Sequence, residues 1–461
     1  MKTETGRVVS TVAGAAFLWL CLKSAALSVV RAIQGQACSL PAAAGLYLAY
    51  AVVLVVVAVC VSVLLSGRRT RGGEQAVSAI SAVCGATGLL LALRASGVVL
   101  LAPALLLIGV FVGCHLALWS PRIVSCRADL VPFVVAASFL AAEIVRLLVT
   151  VSGADLLRAA YPVASFLLLL ACPMGDRVAP ATERASLTSL SWGMAVTCAL
   201  LIALWSFALG MMPQGTGGVM SGEDLVWSYG FSSIMLLVLS VFFWYLHASN
   251  KVTRRRFLYP FVGIVVLYLF FVTGMLALQS AEFVVFKRPF IAIGHCLEAF
   301  VVAIVFHDAA SRKLSPVSAI ALFVGFFGNG PWMVAATIVS VSGVFEGSTA
   351  GEWAALALSF ATAVVLVLYL LRSATNEPPA ASQPGADAAA QRSRKASVAH
   401  GLSAKEQEVA QLLYRGLSAK RIAEELYISE NTVRTHTANI YRKLDVHSKQ
   451  DLIKLFDSYE D

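Results

Sequence analysis

Residues 402–446 read LSAKEQEVAQLLYRGLSAKRIAEELYISENTVRTHTANIYRKLDV, and the helix-capping signals in this stretch define three short helices. Ser403 and Glu406 have the spacing of a capping box, in which each side chain bonds the other residue's free backbone N–H. They predict the start of a first helix, which ends at Gly416. Ser418 predicts the start of a second helix, and Ser429 the start of a third.

The third predicted helix has an apolar face and a polar face, because residues three and four apart share one side of a helix. The stripe expected to pack on the first two helices is Val433, Thr437, Ile440 and Leu444. The opposite face carries Asn431, Arg434, Thr435, Ala438 and Arg442. A helix-turn-helix has this pattern, with the second helix of the motif in the DNA major groove. A small helical bundle with a solvated face has it too, and periodicity alone leaves both open.

The residue identities separate these alternatives, because the stretch resembles the DNA-binding domain of the LuxR family of bacterial regulators. The resemblance covers about the last 60 residues. It is carried by Leu402, Glu406, Glu408, Val409, Leu412, Leu413, Gly416, Ser418, Lys420, Ile422, Ala423, Leu426, Ile428, Ser429, Thr432, Val433, His436, Asn439, Ile440, Lys443, Leu444 and Val446. The chain departs from the usual family residues at Lys405, Ala419, Asp445 and Lys449. None of the four lies on the predicted groove face.

The resemblance implies double-stranded DNA as a partner. The predicted DNA-binding residues are Lys420, Ser429, Asn431, Thr432, Arg434, Thr435, Ala438, Asn439, Arg442 and Lys443. Arg434 is expected at a base edge, whereas Lys420, Arg442 and Lys443 are better placed for phosphates. A fourth helix, beginning at Ser448, commonly dimerises in the family, so a homodimer on DNA is expected. Closing the bundle is the alternative role of that helix.

The composition of the whole chain indicates a membrane protein. Of its 461 residues 59% are hydrophobic and only 13% charged, and the mean hydropathy is +0.80; soluble domains average about 25% charged residues. The net charge of +9 does not belong to the DNA-binding stretch. Residues 401–461 hold nine Lys or Arg and ten Asp or Glu. We therefore expect modest DNA affinity outside a dimer.

Apolar runs predict twelve membrane-spanning helices, most close to the ~20 residues needed to cross the hydrocarbon layer. The runs are 8–30, 42–65, 76–93, 97–119, 130–150, 156–172, 189–211, 228–246, 257–279, 290–307, 316–344 and 353–371. With the N-terminus inside, inward loops would carry fifteen basic residues and outward loops five. The positive-inside rule therefore places both termini in the cytoplasm of a bacterial cell. The fold class predicted is all-α: a polytopic twelve-helix membrane bundle plus a small four-helix helix-turn-helix domain.

The predicted domains are a transmembrane sensor over 1–371, a flexible linker over 372–400 and the DNA-binding domain over 401–461. The linker is rich in Ala, Pro, Ser and Gln, a composition typical of an unstructured tether. The twelve spans resemble the major facilitator superfamily in number. However, the loop after the second span, SGRRTRGG, lacks the acidic residue of that family's usual motif.

Charged and polar residues within the apolar runs predict a ligand pocket inside the bundle, because charges at membrane depth are costly and tend to be functional. The candidates are Lys23, Glu143, Arg146, His295, Glu298 and Asn329. Asn329 belongs to a Gly-Asn-Gly-Pro sequence that should break or kink its span. The alternative is purely structural, since an intrahelical ion pair needs no ligand.

These features together predict a one-component transcription regulator in the cytoplasmic membrane, which senses a small-molecule or membrane signal through its bundle. A transporter with a DNA-binding tail is the alternative, and substrate flux in vesicles would separate the two. A third possibility is a helix-turn-helix that has become a protein-interaction module, which the intact groove face argues against. The nine cysteines show no metal-binding spacing, and no catalytic pattern occurs. No cofactor, metal or enzymatic activity is expected.

Overall fold

The computed structural model describes residues 2–67, 71–172, 222–249, 283–312, 316–342, 399–414, 417–426 and 429–458, and the isolated positions 364, 393, 396 and 397. All regular structure in these residues is helical. The chain divides into two compact units, Met1–Leu371 and Arg372–Asp461.

The first unit contains ten described α-helices, most of them long and apolar. They are α1 (Lys2–Gln34), α2 (Leu40–Gly67), α3 (Arg71–Arg94), α4 (Val98–Val124), α5 (Val131–Ser152), α6 (Tyr161–Ala171), α7 (Gly222–Ala248), α8 (Phe283–Arg312), α9 (Val317–Leu322) and α10 (Asn329–Val341). Within the described part of the chain, α1–α5, α7 and α8 are long and apolar enough to cross a membrane.

The predicted count of twelve spans is not confirmed by the residues that the structure describes. Seven of the predicted spans are long helices, and three (189–211, 257–279 and 353–371) lie outside the described residues, apart from residue 364. The predicted span 156–172 is instead a 3-10 helix, Asp155–Ala160, followed by the eleven residues of α6. The left-handed Gly153 ends α5, and a proline in its first turn starts α6. The segment is therefore helical from Asp155 to Ala171, but in two short pieces rather than in one continuous helix.

The break predicted at Gly-Asn-Gly-Pro is confirmed. The helix α9 passes into a π-helical turn, Phe323–Phe327, and the backbone is extended at Gly328 before α10 starts. A Cβ atom at Gly328 would lie 2.9 Å from Oε1 of Glu298. Glycine thus permits close approach of this backbone to a buried carboxylate.

The helix α1 packs against α4, α5, α6 and α10, so the first helix lies at the centre of the described bundle. Trp19 of α1 stacks on Phe139 of α5 with 4.7 Å between ring centroids, and its indole N–H donates to Ser138 at 2.8 Å. The outer helices instead expose large apolar side chains; on α2, Leu64 is 76% and Val63 55% exposed. Such surfaces suit contact with lipid rather than water.

The second unit has four helices around its own apolar core: α11 (Ala404–Tyr414), α12 (Ala419–Leu426), α13 (Glu430–Leu444) and α14 (Lys449–Asp457). The core is formed by the predicted apolar faces and includes Val409, Leu413, Ile422, Val433, Ile440, Leu444, Leu452 and Phe456. Tyr414 packs edge-on against Phe456 at 5.3 Å and donates its hydroxyl hydrogen bond to Asp457. The end of α11 is thereby fixed to α14.

The capping signals at Ser403, Ser429 and Ser448 are confirmed. The N–H of Ser403 donates to the Glu406 carboxylate at 2.8 Å, and the Ser429 hydroxyl accepts the N–H of Thr432 at 3.0 Å. The helix α13 ends at Asp445, which is left-handed with φ of 53°. This is a position where the family usually has glycine, and aspartate is among the residues that tolerate the conformation.

Candidate DNA-binding surface and buried charge cluster

The packing of α13 leaves its polar face in solvent. Val433 and Ile440 are fully buried against the other helices of the unit. The exposed residues of the opposite face are Asn431, Thr432, Arg434, Thr435, Ala438 and Arg442. Because the apolar stripe fixes the rotation of α13 about its axis, these six side chains form one continuous surface, called here the reading face.

The start of α13 places short polar groups at the positive end of the helix dipole. The hydroxyl groups of Ser429 and Thr432 are 2.7 Å apart, and the Thr435 hydroxyl donates to the carbonyl of Asn431 at 3.0 Å. Since backbone N–H groups at a helix start attract anions, phosphate oxygens fit this end.

Arg434 is one of the two arginines of the reading face and is 70% exposed. Its Nη2 donates to Glu430, one turn earlier, at 2.8 Å. An exposed ion pair of this kind contributes only about 0.2–1 kcal/mol. The guanidinium can therefore leave Glu430 for a guanine edge at small cost, and four of its five N–H donors have no assigned partner among the described residues.

Two further cations lie near the end of α13. Arg442 donates to the side-chain oxygen of Asn439 at 3.1 Å and is exposed. Lys443 donates to the Glu406 carboxylate at 2.7 Å, across to α11. Hydrogen bonds from Lys443 and from the Ser403 N–H lower the pKa of Glu406 to about 2. Lys443 therefore joins α13 to the capping box of α11, a role that the sequence did not reveal. The side chain of Lys420 lies outside the described residues.

In the first unit, four of the six predicted pocket residues meet in one buried cluster. The carboxylate of Glu143, fully buried on α5, contacts Lys23 of α1, Arg146 at 3.0 Å and His295 of α8 at 3.3 Å. This set of Lys23, Glu143, Arg146 and His295 is called the charge cluster below. Lys23 and Arg146 are 8% and 12% exposed. Three helices from distant parts of the sequence thus share one carboxylate.

The helix α7 adds two residues that the sequence analysis did not include. The Arg146 guanidinium donates to the Tyr229 hydroxyl at 2.9 Å and lies 4.2 Å from the centre of that ring. Ser232 is 3.1 Å from Nδ1 of His295. Tyr229 and Ser232 are three residues apart on one face of an apolar helix, and this spacing is the sequence pattern that could have indicated both residues.

The fifth predicted residue, Glu298, lies on α8, the helix that also carries His295. Glu298 is 1% exposed, one turn beyond His295, and lies against Gly328. The side chain of Asn329 lies outside the described residues. Among the described residues, no three His, Cys, Asp or Glu side chains come together as metal ligands.

Comparison with known proteins identifies the second unit. The family described as "Bacterial regulatory proteins, luxR family" matches residues 400–456. The uncharacterized response regulatory protein YgeK of Escherichia coli is 49% identical over 53 residues, which are 12% of this chain and 36% of that protein. The response regulator protein TodT of Pseudomonas putida is 45% identical over 60 residues, which are 13% of this chain and 26% of TodT. The chain thus spans about a third or less of these relatives.

Solved structures align with the chain at low similarity. The nucleoside transporter NupG aligns with 82% of this chain and 100% of its own, at 13% identity and a TM-score of 0.47. The human organic anion transporter MFSD10 aligns with 78% of this chain and 99% of its own, at 13% identity and a TM-score of 0.45. Neither alignment reaches the level at which fold or substrate is transferred. The family match and the geometry of α13 agree for the second unit: residues 400–456 are a DNA-binding regulatory domain of the luxR family.

Proposed function

We propose that the chain is a one-component transcription regulator of the bacterial cytoplasmic membrane. Its first unit senses a signal, and its second unit binds promoter DNA. In this proposal twelve helices cross the membrane and both termini are cytoplasmic. A homodimer forms on double-stranded DNA, and the signal is a small molecule or a change in the membrane.

The observation that carries the proposal is that one polypeptide contains both the exposed reading face and a set of apolar helices. We assign base reading to Arg434, helped by Asn431, Thr432, Thr435 and Ala438. Phosphate contacts are assigned to Ser429 at the helix start, and to Lys420, Asn439, Arg442 and Lys443. Phosphates position the domain without reading sequence, so the second group sets affinity and the first sets specificity.

The charge cluster supports a sensing role for the helices. A buried carboxylate shared by two cations and an imidazole resists small displacements, since separating buried charges costs several kcal/mol. A change that moves α1 relative to α5 and α8 would therefore exchange one discrete arrangement for another. A sensor needs a bistable element of this kind. In this proposal the break in the helix at Gly328 belongs to the segment that moves, and Glu298 lies against it.

The test begins by selecting DNA sites with the Arg372–Asp461 fragment from a random library, and then couples the selected site to a reporter gene. Full-length protein carrying Glu298→Gln should give altered reporter output at unchanged membrane abundance. Arg434→Ala should abolish regulation, and Lys405→Ala is its matched control, because Lys405 is an exposed cation on α11 that pairs with Glu408.

Failure of the fragment to select any sequence would refute the DNA-binding assignment. Reporter output identical for wild type and Glu298→Gln, in all growth media compared, would refute sensing through this part of the bundle.

A further inference from the structure

A cavity with a volume of about 230 Å³ opens where three helical segments end on the same side of the first unit. Its walls come from the last three turns of α1, the last two turns of α3 and the 3-10 helix. In the proposed topology α1, α3 and α5 all run outward, so this cavity lies at the outer face of the membrane. It is separate from the reading face and contains none of the charge cluster residues.

One wall of the cavity is a polar stripe of α1. Ser24, Ser28, Arg31 and Gly35 follow one another at four-, three- and four-residue spacing and therefore share one face of the helix. The hydroxyls of Ser24 and Ser28 donate to carbonyls one turn back, at 2.7 and 2.8 Å. Their lone pairs remain to accept a hydrogen bond from a ligand.

Two guanidinium groups line the same space. Arg158 comes from the 3-10 helix and is only 11% exposed, with one nitrogen 2.6 Å from Asp155. Arg31 has no ion pair within the part of the chain that the structure describes, and it lies close enough to Arg158 for the two charges to repel each other. Counting Asp155, the site has a formal charge of +1. A single negative charge would neutralise it.

The positive-inside rule makes arginines uncommon at the outer face, and in the proposed topology two of them line this one cavity. The other wall is apolar. It is formed by Leu89 and Leu93, and by alanines of α1, of α3 and of the loops that follow these two helices. A volume of this size holds roughly seven waters and is below the ~300 Å³ of the smallest drug-sized pockets. Charge, walls and volume therefore describe a small anion with an apolar body.

We propose that this cavity binds a small monocarboxylate with a short apolar or aromatic body, taken from the outside of the cell. The carboxylate lies between Arg31 and Arg158, in the two-point geometry that guanidinium and carboxylate groups favour. The apolar body lies against Leu89 and Leu93. The inference deepens the proposed function, on which it rests for its biological meaning, because it gives the chemical class of the signal.

The test uses full-length protein in lipid nanodiscs and measures binding by isothermal titration calorimetry. Benzoate and isovalerate are the probes, benzamide is the uncharged counterpart of benzoate, and inorganic phosphate is the alternative anion. We expect saturable benzoate or isovalerate binding, at least tenfold weaker with Arg31→Gln. The matched control is Arg94→Gln, since Arg94 is an exposed arginine at the same end of α3 that does not line the cavity.

A second variant, Ala92→Leu, reduces the volume without changing any charge, and it should weaken binding by a similar factor. Benzamide binding as tightly as benzoate, phosphate binding alone, no binding of either carboxylate, or equal affinity in wild type and Arg31→Gln would each overturn the proposal. Carboxylate binding that leaves the reporter unaffected would overturn the sensing function but keep the site. A reporter that responds to other compounds, with no carboxylate binding, would overturn the carboxylate site but keep the sensing function.

Discussion

Substitutions in the charge cluster should differ sharply in how much they destabilise the protein, although all of them change the same group of ion pairs. Lys23 and Arg146 contribute two positive charges and Glu143 one negative charge, so the cluster carries +1 when His295 is neutral. Glu143→Gln raises this charge to +2, whereas Lys23→Met lowers it to zero. We therefore predict that the carboxylate matters more to stability than either cation.

The magnitude follows from burial. Glu143 is fully buried, and its two cations are only 8% and 12% exposed, so water screens these charges little. Leaving a buried charge uncompensated costs about 3–5 kcal/mol, which we expect for Glu143→Gln. Lys23→Met leaves the Glu143–Arg146 pair intact and supplies a side chain of similar length. Its expected cost is about 1 kcal/mol, typical of a single substitution. The double variant returns the charge to +1 and should be more stable than Glu143→Gln alone.

The measurement is thermal unfolding of the full-length protein in nanodiscs, followed by tryptophan fluorescence, together with membrane abundance in cells. Asp155→Asn is the matched control, since it neutralises a 52% exposed acid of an ion pair in the same unit. That pair should contribute less than about 1 kcal/mol. The reasoning is refuted if Lys23→Met unfolds at a temperature equal to or below that of Glu143→Gln, or if the double variant is less stable than both single variants.

The remaining predictions concern the second unit and the topology. Arg434→Ala should cost about 1–3 kcal/mol of DNA binding, or roughly 5- to 150-fold in Kd, and relax the preference at one base pair, as measured by footprinting and by titration of site variants. The Glu406 carboxylate has a folded pKa of about 2, below its ordinary value of 4.5, so its stabilising contribution is complete above pH 4.5 and is lost as the pH falls towards 2. Lys443→Ala should flatten the pH dependence of unfolding in this window, as measured by urea denaturation of the Arg372–Asp461 fragment. Reporter fusions placed after Leu371 should show activity of an enzyme that works only in the cytoplasm.

Each of these predictions has an outcome that contradicts it. Unchanged affinity and specificity in Arg434→Ala would mean that α13 is not the recognition helix. An unaltered pH profile in Lys443→Ala would mean that the lysine does not hold Glu406 in solution. Activity of a periplasmic reporter after Leu371 would mean that an odd number of helices crosses the membrane before the second unit.

The helices of the DNA-binding unit were predictable because their signals are local. A capping box needs residues only three apart, as with Ser403 and Glu406, and an apolar stripe needs only helical periodicity, as with Val433 and Ile440. The ion pair between Lys443 and Glu406 was not predictable, because 37 positions separate its members. The same distinction explains why the sixth predicted span differs from the structure. Hydropathy over 156–172 cannot show that Arg158 forms an ion pair with Asp155 or that the α-helix starts only at Tyr161.

The sequence by itself determined the helical class, the membrane character, the DNA-binding unit and its reading face, since composition, periodicity and residue identity are properties of short windows. It also identified Lys23, Glu143, Arg146 and His295 as costly residues within apolar helices. Only the tertiary structure decided that Lys23, Arg146 and His295 share the carboxylate of Glu143, that α7 adds Tyr229 to them, and that other arginines line a cavity. The physical reason is that ion pairs and cavities depend on the rotation and depth of helices far apart in the chain, which packing fixes and no local pattern encodes.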